Sequence, residues 1–429
     1  MTVIEKALYD LPYGLNDVAE DFNSDSTSLK RQTVKMSLRK VLDALGLERD
    51  ILVMVTAVLI LTLGTQLWSK YVPKYLEFLG ASALIIGLYG SFQSAVSALY
   101  QYPGGVLADK MGSKNALITF TFVSIVGLLI YLFSPDWRLF LLGTFFVLTW
   151  ESMSQPAIFS LIGDVLKKSR RAIGFSVQSI LKRIPIILAP PIGGYLIETY
   201  GIEGGMRIGF TVSIVLALIA IVFQKRFYSE AKSLSKRLPI DMGRLWTEMR
   251  SPLKRLLVAD IAARLASNTV KVYVVLYVLN ILGASPLQYG LLISVQMITS
   301  ILSYLPAAKL ADIYGRKPFV ALTFTFFALF PAVLITIPGP SLLPLAFIIN
   351  GLREIGEPAR KALIVDLAEG PYQGRTIGLY YLIRESIMIP ASLIGGLLWS
   401  VSPQTPFIAA SMVGSLGVLI FLTSKKHPT

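Results

Sequence analysis

The sequence contains no cysteine, and its one histidine, His427, is third from the end of 429 residues. Disulfides, thiolate metal sites and cysteine nucleophiles are therefore excluded. A lone terminal imidazole offers neither a histidine metal site nor a histidine base, so no metal and no cofactor are expected. Charge is scarce too: 15% of residues are charged, against about 25% in soluble domains. No Gly-x-x-x-x-Gly-Lys-Ser/Thr loop and no Gly-x-Ser-x-Gly elbow occurs, so neither nucleotide drive nor acyl-transfer chemistry has support. An enzyme is not expected. Apolar residues do not alternate over stretches of about 10, as strands of a membrane barrel require. No apolar run lies near Met1, so residues 1–50 are not read as a signal peptide.

What is abundant is apolar length. Hydrophobic residues make up 54% of the chain, and runs of about 20, enough to cross a bilayer as helices, recur along it. Twelve runs stand out, at 51–76, 83–108, 115–133, 138–165, 173–198, 206–227, 256–282, 287–312, 318–337, 342–367, 376–400 and 404–424. They divide the chain into a cytoplasmic segment 1–50, a six-helix bundle 51–227, a cytoplasmic linker 228–255, a second bundle 256–424 and a tail 425–429. Within the first segment, Leu29, Val34, Leu38, Val41 and Leu45 interleave with Lys30, Arg31, Lys35, Arg39 and Lys40, the pattern of a basic amphipathic helix on a membrane surface.

The net charge of +14 would suit nucleic acid if it were clustered on a soluble face. Instead it follows the loops. Lys167, Lys168, Arg170 and Arg171 lie between spans 4 and 5, and Arg226, Lys232, Lys236, Arg237 and Arg244 between spans 6 and 7. The connections 7–8, 9–10 and 11–12 carry no Lys or Arg. Both termini are expected on the cytoplasmic side, with a lipid bilayer and not a nucleic acid as the surrounding partner.

One motif occurs twice. Gly104-Gly105-Val106-Leu107-Ala108-Asp109-Lys110-Met111-Gly112-Ser113-Lys114 follows span 2, and Ala307-Ala308-Lys309-Leu310-Ala311-Asp312-Ile313-Tyr314-Gly315-Arg316-Lys317 follows span 8. Gly193-Gly194 and Gly395-Gly396 repeat at nearly the same interval. Gly112 and Gly315 suit a tight turn with positive φ, and Gly104 and Gly105 suit close helix packing. Two six-span repeats with this motif after the second span of each resemble the major facilitator superfamily.

The resemblance implies an all-α membrane protein. Its twelve helices would form two pseudo-symmetric bundles that rock about a site between them. It implies a monomer that carries a small organic solute across the cell membrane, with protons as coupling ion. It implies that Asp109 caps the start of span 11 near Arg375–Gly378 while the cytoplasmic side is closed, and that Asp312 faces the start of span 5 near Arg171–Gly174. Ala189-Pro190-Pro191-Ile192-Gly193-Gly194 partly resembles the span 5 motif of the superfamily's drug:proton antiporters. The arginine such exporters carry in span 4 is absent; Glu151 stands in that span instead.

Ionisable groups at depth cost at least about 2.5–3.5 kcal/mol each unless they meet water or a partner. Here they fall on spans 1, 4, 5, 7, 10 and 11: Lys70, Glu151, Lys182, Arg183, Asp260, Arg264, Lys271, Arg353, Glu354, Glu357, Arg384 and Glu385, with Asn268 on the span 7 stripe. Spans 3, 6, 9 and 12 have none in their apolar stretches. These residues are the candidates for the solute and proton cavity. Glu151, with no cation one helical turn away, is the first choice as proton carrier. Asp260–Arg264 reads as structural, and Glu357, between Arg353 and Lys361, as a salt bridge. Export is the leading direction. Uptake of an anionic metabolite is the alternative, favoured if cations from both halves converge on one point; a receptor on a transporter fold is a third reading.

Overall fold

Serine and glycine punctuate both halves of the chain alike. The Ser82 hydroxyl accepts from Ile85 N at the start of a 29-residue helix that ends on Gly112, φ 79°. Ser285 and Gln288 form a reciprocal capping box at the start of another 29-residue helix that ends on Gly315, φ 86°. Both turns need the left-handed backbone that glycine adopts without strain, as the motif predicts. The next helices begin at once.

The computed structural model describes residues 49–155, 157–158, 182–227, 246–247, 249–368 and 373–423. In chain order the helices are α1 (Arg49–Trp68), α2 (Val72–Phe78), α3 (Ala83–Met111), α4 (Ser113–Phe133) and α5 (Trp137–Leu148), which runs into a π turn, Thr149–Met153. Then come α6 (Arg183–Phe227), α7 (Ser251–Val270), α8 (Val274–Leu276) with a π turn Tyr277–Ile281, α9 (Pro286–Tyr314) and α10 (Arg316–Thr336). The last are α11 (Leu343–Leu352), α12 (Glu357–Leu367), α13 (Gln373–Met388), α14 (Ala391–Trp399) and α15 (Thr405–Thr423). α6 is two helices joined at Gly201, φ 75°. Among the described residues seven helices are long and apolar enough to cross a membrane, or nine if each of two bent pairs is one crossing. The expected spans 4 and 5 extend into residues outside the described ones.

The expected spans 1, 7 and 10 are not continuous. α1 and α2 meet at 42° and α7 and α8 at 46°, and span 10 is divided at Arg353–Gly356 between α11 and α12. Apolar residues flank each break, but each break carries a cation, Lys70, Lys271 or Arg353, the last with Glu354 beside it.

Three apolar clusters organise the interior. One holds residues of both halves, from Trp68, Tyr71, Tyr75 and Phe210 to Tyr273, Tyr289, Phe347 and Phe407. The other two lie nearer the ends of α3 and α9 that carry Gly112 and Gly315, hereafter the motif end. There the first half packs on itself around Phe120, Trp150 and Ile158, and the second around Leu256, Phe324 and Tyr380.

The second half contains a satisfied buried charge cluster. Asp260 Oδ2 accepts from Arg360 Nη1 at 2.6 Å, Tyr380 Oη at 2.9 Å and Arg384 Nη1 at 3.2 Å. Arg264 Nε approaches Asp260 Oδ1 at 3.3 Å. Glu357 accepts from Arg360 Nη2 at 2.6 Å and Arg264 Nη2 at 3.2 Å. The cluster ties α7, α12 and α13 together, and Arg360 is 1% exposed. Removing one partner strands the rest in low dielectric, at about 3–5 kcal/mol. Asp260→Asn should therefore lower the stability of the purified protein by about that amount. Lys361→Gln, on the cluster's exposed rim at 3.9 Å from Glu357, should cost less than about 1 kcal/mol. Comparable drops in thermal midpoint would show that the cluster is not what joins these helices.

Candidate solute cavity

The helix breaks gather side chains around one space. A cavity of about 310 Å³ lies between the halves, with Gln66, Ser69, Lys70 and Glu151 from the first and Lys271, Asn350 and Arg353 from the second. A second cavity of about 390 Å³ shares Gln66 and Glu151 and continues past Thr62 to Val58 and Lys182. Along α1 that path leads away from the break at Trp68, toward the motif end.

Lys271 and Arg353 follow directly on the last residues of α7 and α11, and Lys70 lies two residues past the end of α1. Unpaired carbonyls and the negative end of the helix dipole favour a cation there. This makes bare ammonium and guanidinium groups tolerable at depth. Glu151 sits in the π turn that follows α5. Among the described residues, none of these four forms an ion pair. Arg353 Nη1 donates to Ser267 Oγ at 3.0 Å, and its guanidinium lies 5.4 Å from the Phe327 ring centroid. Arg353 Nε, Gln66 Oε1, Ser69 Oγ and Asn350 Oδ1 are buried without a hydrogen-bond partner among the described residues.

The far end of the cavity is shut by two matching contacts. Tyr71 Oη bridges Pro190 O at 2.8 Å and Pro286 O at 3.0 Å. Tyr273 Oη bridges Ala83 O at 2.9 Å and Ser392 O at 3.2 Å. Each tyrosine thus joins a carbonyl of its own half to the first turn of a helix in the other half. Glycines make room: a Cβ on Gly194 would meet Pro286 O at 2.3 Å, and one on Gly396 would meet the Tyr273 hydroxyl at 2.7 Å. Further out, Asn280 Nδ2 donates to Glu77 Oε1 at 2.8 Å, and Ser285 Oγ to Glu198 Oε2 at 2.8 Å. This is the sealed end.

Profiles of the Major Facilitator Superfamily match residues 53–262 and 256–429. The chain belongs to the major facilitator superfamily. It is 23% identical over 398 residues to the quinolone resistance protein NorA of Staphylococcus aureus (strain MSSA476), covering 89% of this chain and 98% of that protein. Among solved structures it resembles the nucleoside transporter NupG, with a TM-score of 0.71, 14% identity, and coverage of 88% of this chain and 99% of that one. It also resembles a bacterial homologue of the human lysosomal transporter Spinster in an inward-facing, occupied conformation. There the TM-score is 0.68 and the identity 13%, over 87% of this chain and 95% of that one. As in other superfamily members, the chain is a multi-pass membrane protein, and its family and relatives are transporters.

Within this superfamily fold the candidate residues separate into groups. Lys70, Glu151, Lys271 and Arg353 line the central cavity, and Lys182 the adjoining one. Arg183 bridges the halves below the seal, donating to Ser300 Oγ at 3.0 Å and reaching Glu354 at 3.4 Å. Glu357 and Arg384 belong to the Asp260 cluster, with Glu385 paired to Arg384 on its exposed side. Asn268 turns back to Arg264 O on its own helix. Glu357 pairs with Arg264 and Arg360, not with Arg353, because the break at 353–356 puts Arg353 on another helix axis.

In the motif, Gly104 lies against α5's continuation, where a Cβ would meet Met153 Cα at 2.6 Å. Gly105 is buried and Lys114 half-buried. Arg316 pairs with Asp366 within the second half, and Lys317 follows it in the first turn of α10. The side chains of Asp109, Asp312 and Arg375, and residues 171–174, lie outside the described ones, and with them the expected latch. Pro190, Gly193 and Gly194 lie at the seal: Gly193 packs on Leu67 O and Gly194 on Pro286 O. Sequence reading missed Tyr71, Tyr273, Arg360 and Tyr380; the first two repeat at nearly the motif's interval, a signal that was available.

Because the chain has no cysteine, an introduced thiol is its only one. In a Ser69→Cys background, Gly194→Ala should wedge the seal. A bias of ~1.4 kcal/mol against the sealed state gives about a tenfold faster reaction with a membrane-impermeant maleimide added on the sealed side. Gly339→Ala, with nothing within 4 Å, should leave the rate unchanged. Equal rates in both variants would contradict the seal.

Proposed function

We propose that this protein is a secondary active transporter of the cell membrane. It carries a small organic solute through the central cavity by alternating access, with protons as the coupling ion. The observation that supports this best is the cavity's position: both halves line it, one end is closed by contacts between the halves, and the other leads past Val58 toward the motif end. With both termini cytoplasmic, as the Lys and Arg distribution favours, the sealed end is the outward one.

Glu151 is the proton carrier of this reading. It lines both cavities and forms no ion pair with a cation among the described residues. Its charge is therefore free to change between the two access states, whereas those of Asp260 and Glu357 are committed to arginines. The likeness to NorA favours export, solute out against proton in. The cations around the cavity favour a second reading, uptake of an organic anion. An ionised Glu151 competes with such a solute for Lys70 and Lys271, so protonating it favours binding, and proton and anion travel together.

Proteoliposome flux under an imposed pH gradient tests both. Exchange of solute for proton accumulates solute in acid-inside vesicles, and joint movement in acid-outside vesicles. Glu151→Gln should abolish gradient-driven accumulation in either case and leave solute exchange at no less than about half its rate, since that change removes a charge and little volume. Unchanged gradient-driven accumulation would remove Glu151 from the mechanism.

A further inference from the structure

The cavity's polar lining leaves unmet groups of both kinds, the donor Arg353 Nε and the acceptors Gln66 Oε1 and Asn350 Oδ1 among the described residues, but its charge is mostly of one sign. Lys70 and Lys271, one from each half, present ammonium groups with no carboxylate paired to either among the described residues. Arg353 keeps Nη1 on Ser267 and leaves Nε buried and unpartnered. Among the described lining residues one carboxylate, Glu151, stands against these cations; Glu354 and Glu357 lie near Arg353 and Glu385 near Lys271 without an ion pair to them. Arg353 Nε is a buried donor without an acceptor among the described residues, at a cost of about 1–3 kcal/mol, and with Lys70 and Lys271 beside it a negatively charged acceptor group complements this lining. The neighbouring walls contribute Tyr89, Tyr289, Phe330 and Phe347. A volume of about 310 Å³ is at the low end of the range for ligand pockets, about 300–1,000 Å³, and suits a metabolite-sized molecule.

We propose that the central cavity binds a small organic carboxylate, held through its carboxyl group by Arg353 with Lys70 and Lys271 beside it. This rests on the transporter reading above and names the solute class for it. A guanidinium edge matches a carboxylate in a planar, two-point pairing that ammonium groups cannot reproduce. The lysines supply charge from α1 and from α7. Because these helices belong to different halves, the bound anion is drawn to both, and its charge offsets the repulsion between cations that closing the cavity brings together. The amides of Gln66 and Asn350 and the aromatic walls are left for the remainder of the molecule. The buried, unpartnered Asn350 Oδ1 is an acceptor, so the part it meets carries a hydroxyl or amine hydrogen.

The test uses the full chain in phosphatidylcholine nanodiscs, where no anionic lipid competes. Thermal stabilisation is measured with salicylate, succinate and 4-hydroxybenzoate, with their amides, with inorganic phosphate and with tetraphenylphosphonium. At least one carboxylate should raise the melting midpoint, and its amide should not. Lys70→Gln and Lys271→Gln, whose side chains support no packing contact used above, should each weaken that binding by about tenfold or more. Arg353→Lys, which keeps the charge and loses the fork, should do the same. Variants are compared at equal ligand-free midpoint, which separates lost binding from lost folding. Stabilisation by an amide or by tetraphenylphosphonium as strong as by the acids would overturn the proposal. So would stabilisation by phosphate alone, no shift with any probe, or shifts that survive all the substitutions. Counterflow of radiolabelled succinate or salicylate in proteoliposomes separates the two claims. Carboxylate binding without counterflow leaves the site and removes the transporter reading; flux of a cation or neutral solute without carboxylate binding does the reverse.

Discussion

An ionised side chain inside an apolar slab must either find a counter-charge or keep contact with water or solute. That constraint sorts the buried charge of this chain into two sets with different physical characters. In the second half, Asp260, Glu357 and their arginines satisfy one another, and the result is a rigid joint among α7, α12 and α13. Around the cavity, Lys70, Lys271, Arg353 and Glu151, at helix breaks or a π turn, have no ion-pair partner among the described residues. The first set holds helices in place. The second remains free to respond to whatever enters. Helix discontinuity is what allows this, since a helix C-terminus stabilises a cation that a continuous helix would leave bare.

The two ends of the molecule differ in the same currency of contact. Toward the sealed end one apolar core includes both halves, and the Tyr71 and Tyr273 hydroxyls bridge across. Toward the motif end each half has its own core. A structure built this way opens one end without unfolding either half. The repeat explains why the seal is doubled: the same tyrosine, the same paired glycines and the same helix start recur in each half, so the pseudo-symmetry read from the motif extends to the contact that closes the cavity.

Much of this was legible before any coordinate. The apolar runs at 115–133 and 318–337 reappear as Ser113–Phe133 and Arg316–Thr336, and the positive φ expected of Gly112 and Gly315 is present. Long periodic runs with glycine stops are strong local signals. The breaks were not read, because the apolar runs resume at once after the single lysines Lys70 and Lys271, although Pro73 is a signal for the first. Glu357 was assigned Arg353 and Lys361 from i±4 spacing; Lys361, on the same helix, lies 3.9 Å away, but the break puts Arg353 on another axis. Arg360 lies one turn from Glu357 on α12, and only the fold brings Asp260 from α7 beside it. Convergence of Lys70 with Lys271 is likewise long-range, set by how the halves face each other.

Alternating access is tested most directly by two distances measured at once. Spin labels at Phe78→Cys and Ile281→Cys report on the sealed end, and at Met111→Cys and Tyr314→Cys on the motif end. When the protein is driven by solute and pH through its transport cycle, the first distance should lengthen in the population in which the second shortens. Distances that stay fixed, or that lengthen and shorten together, would contradict two halves rocking about a central site.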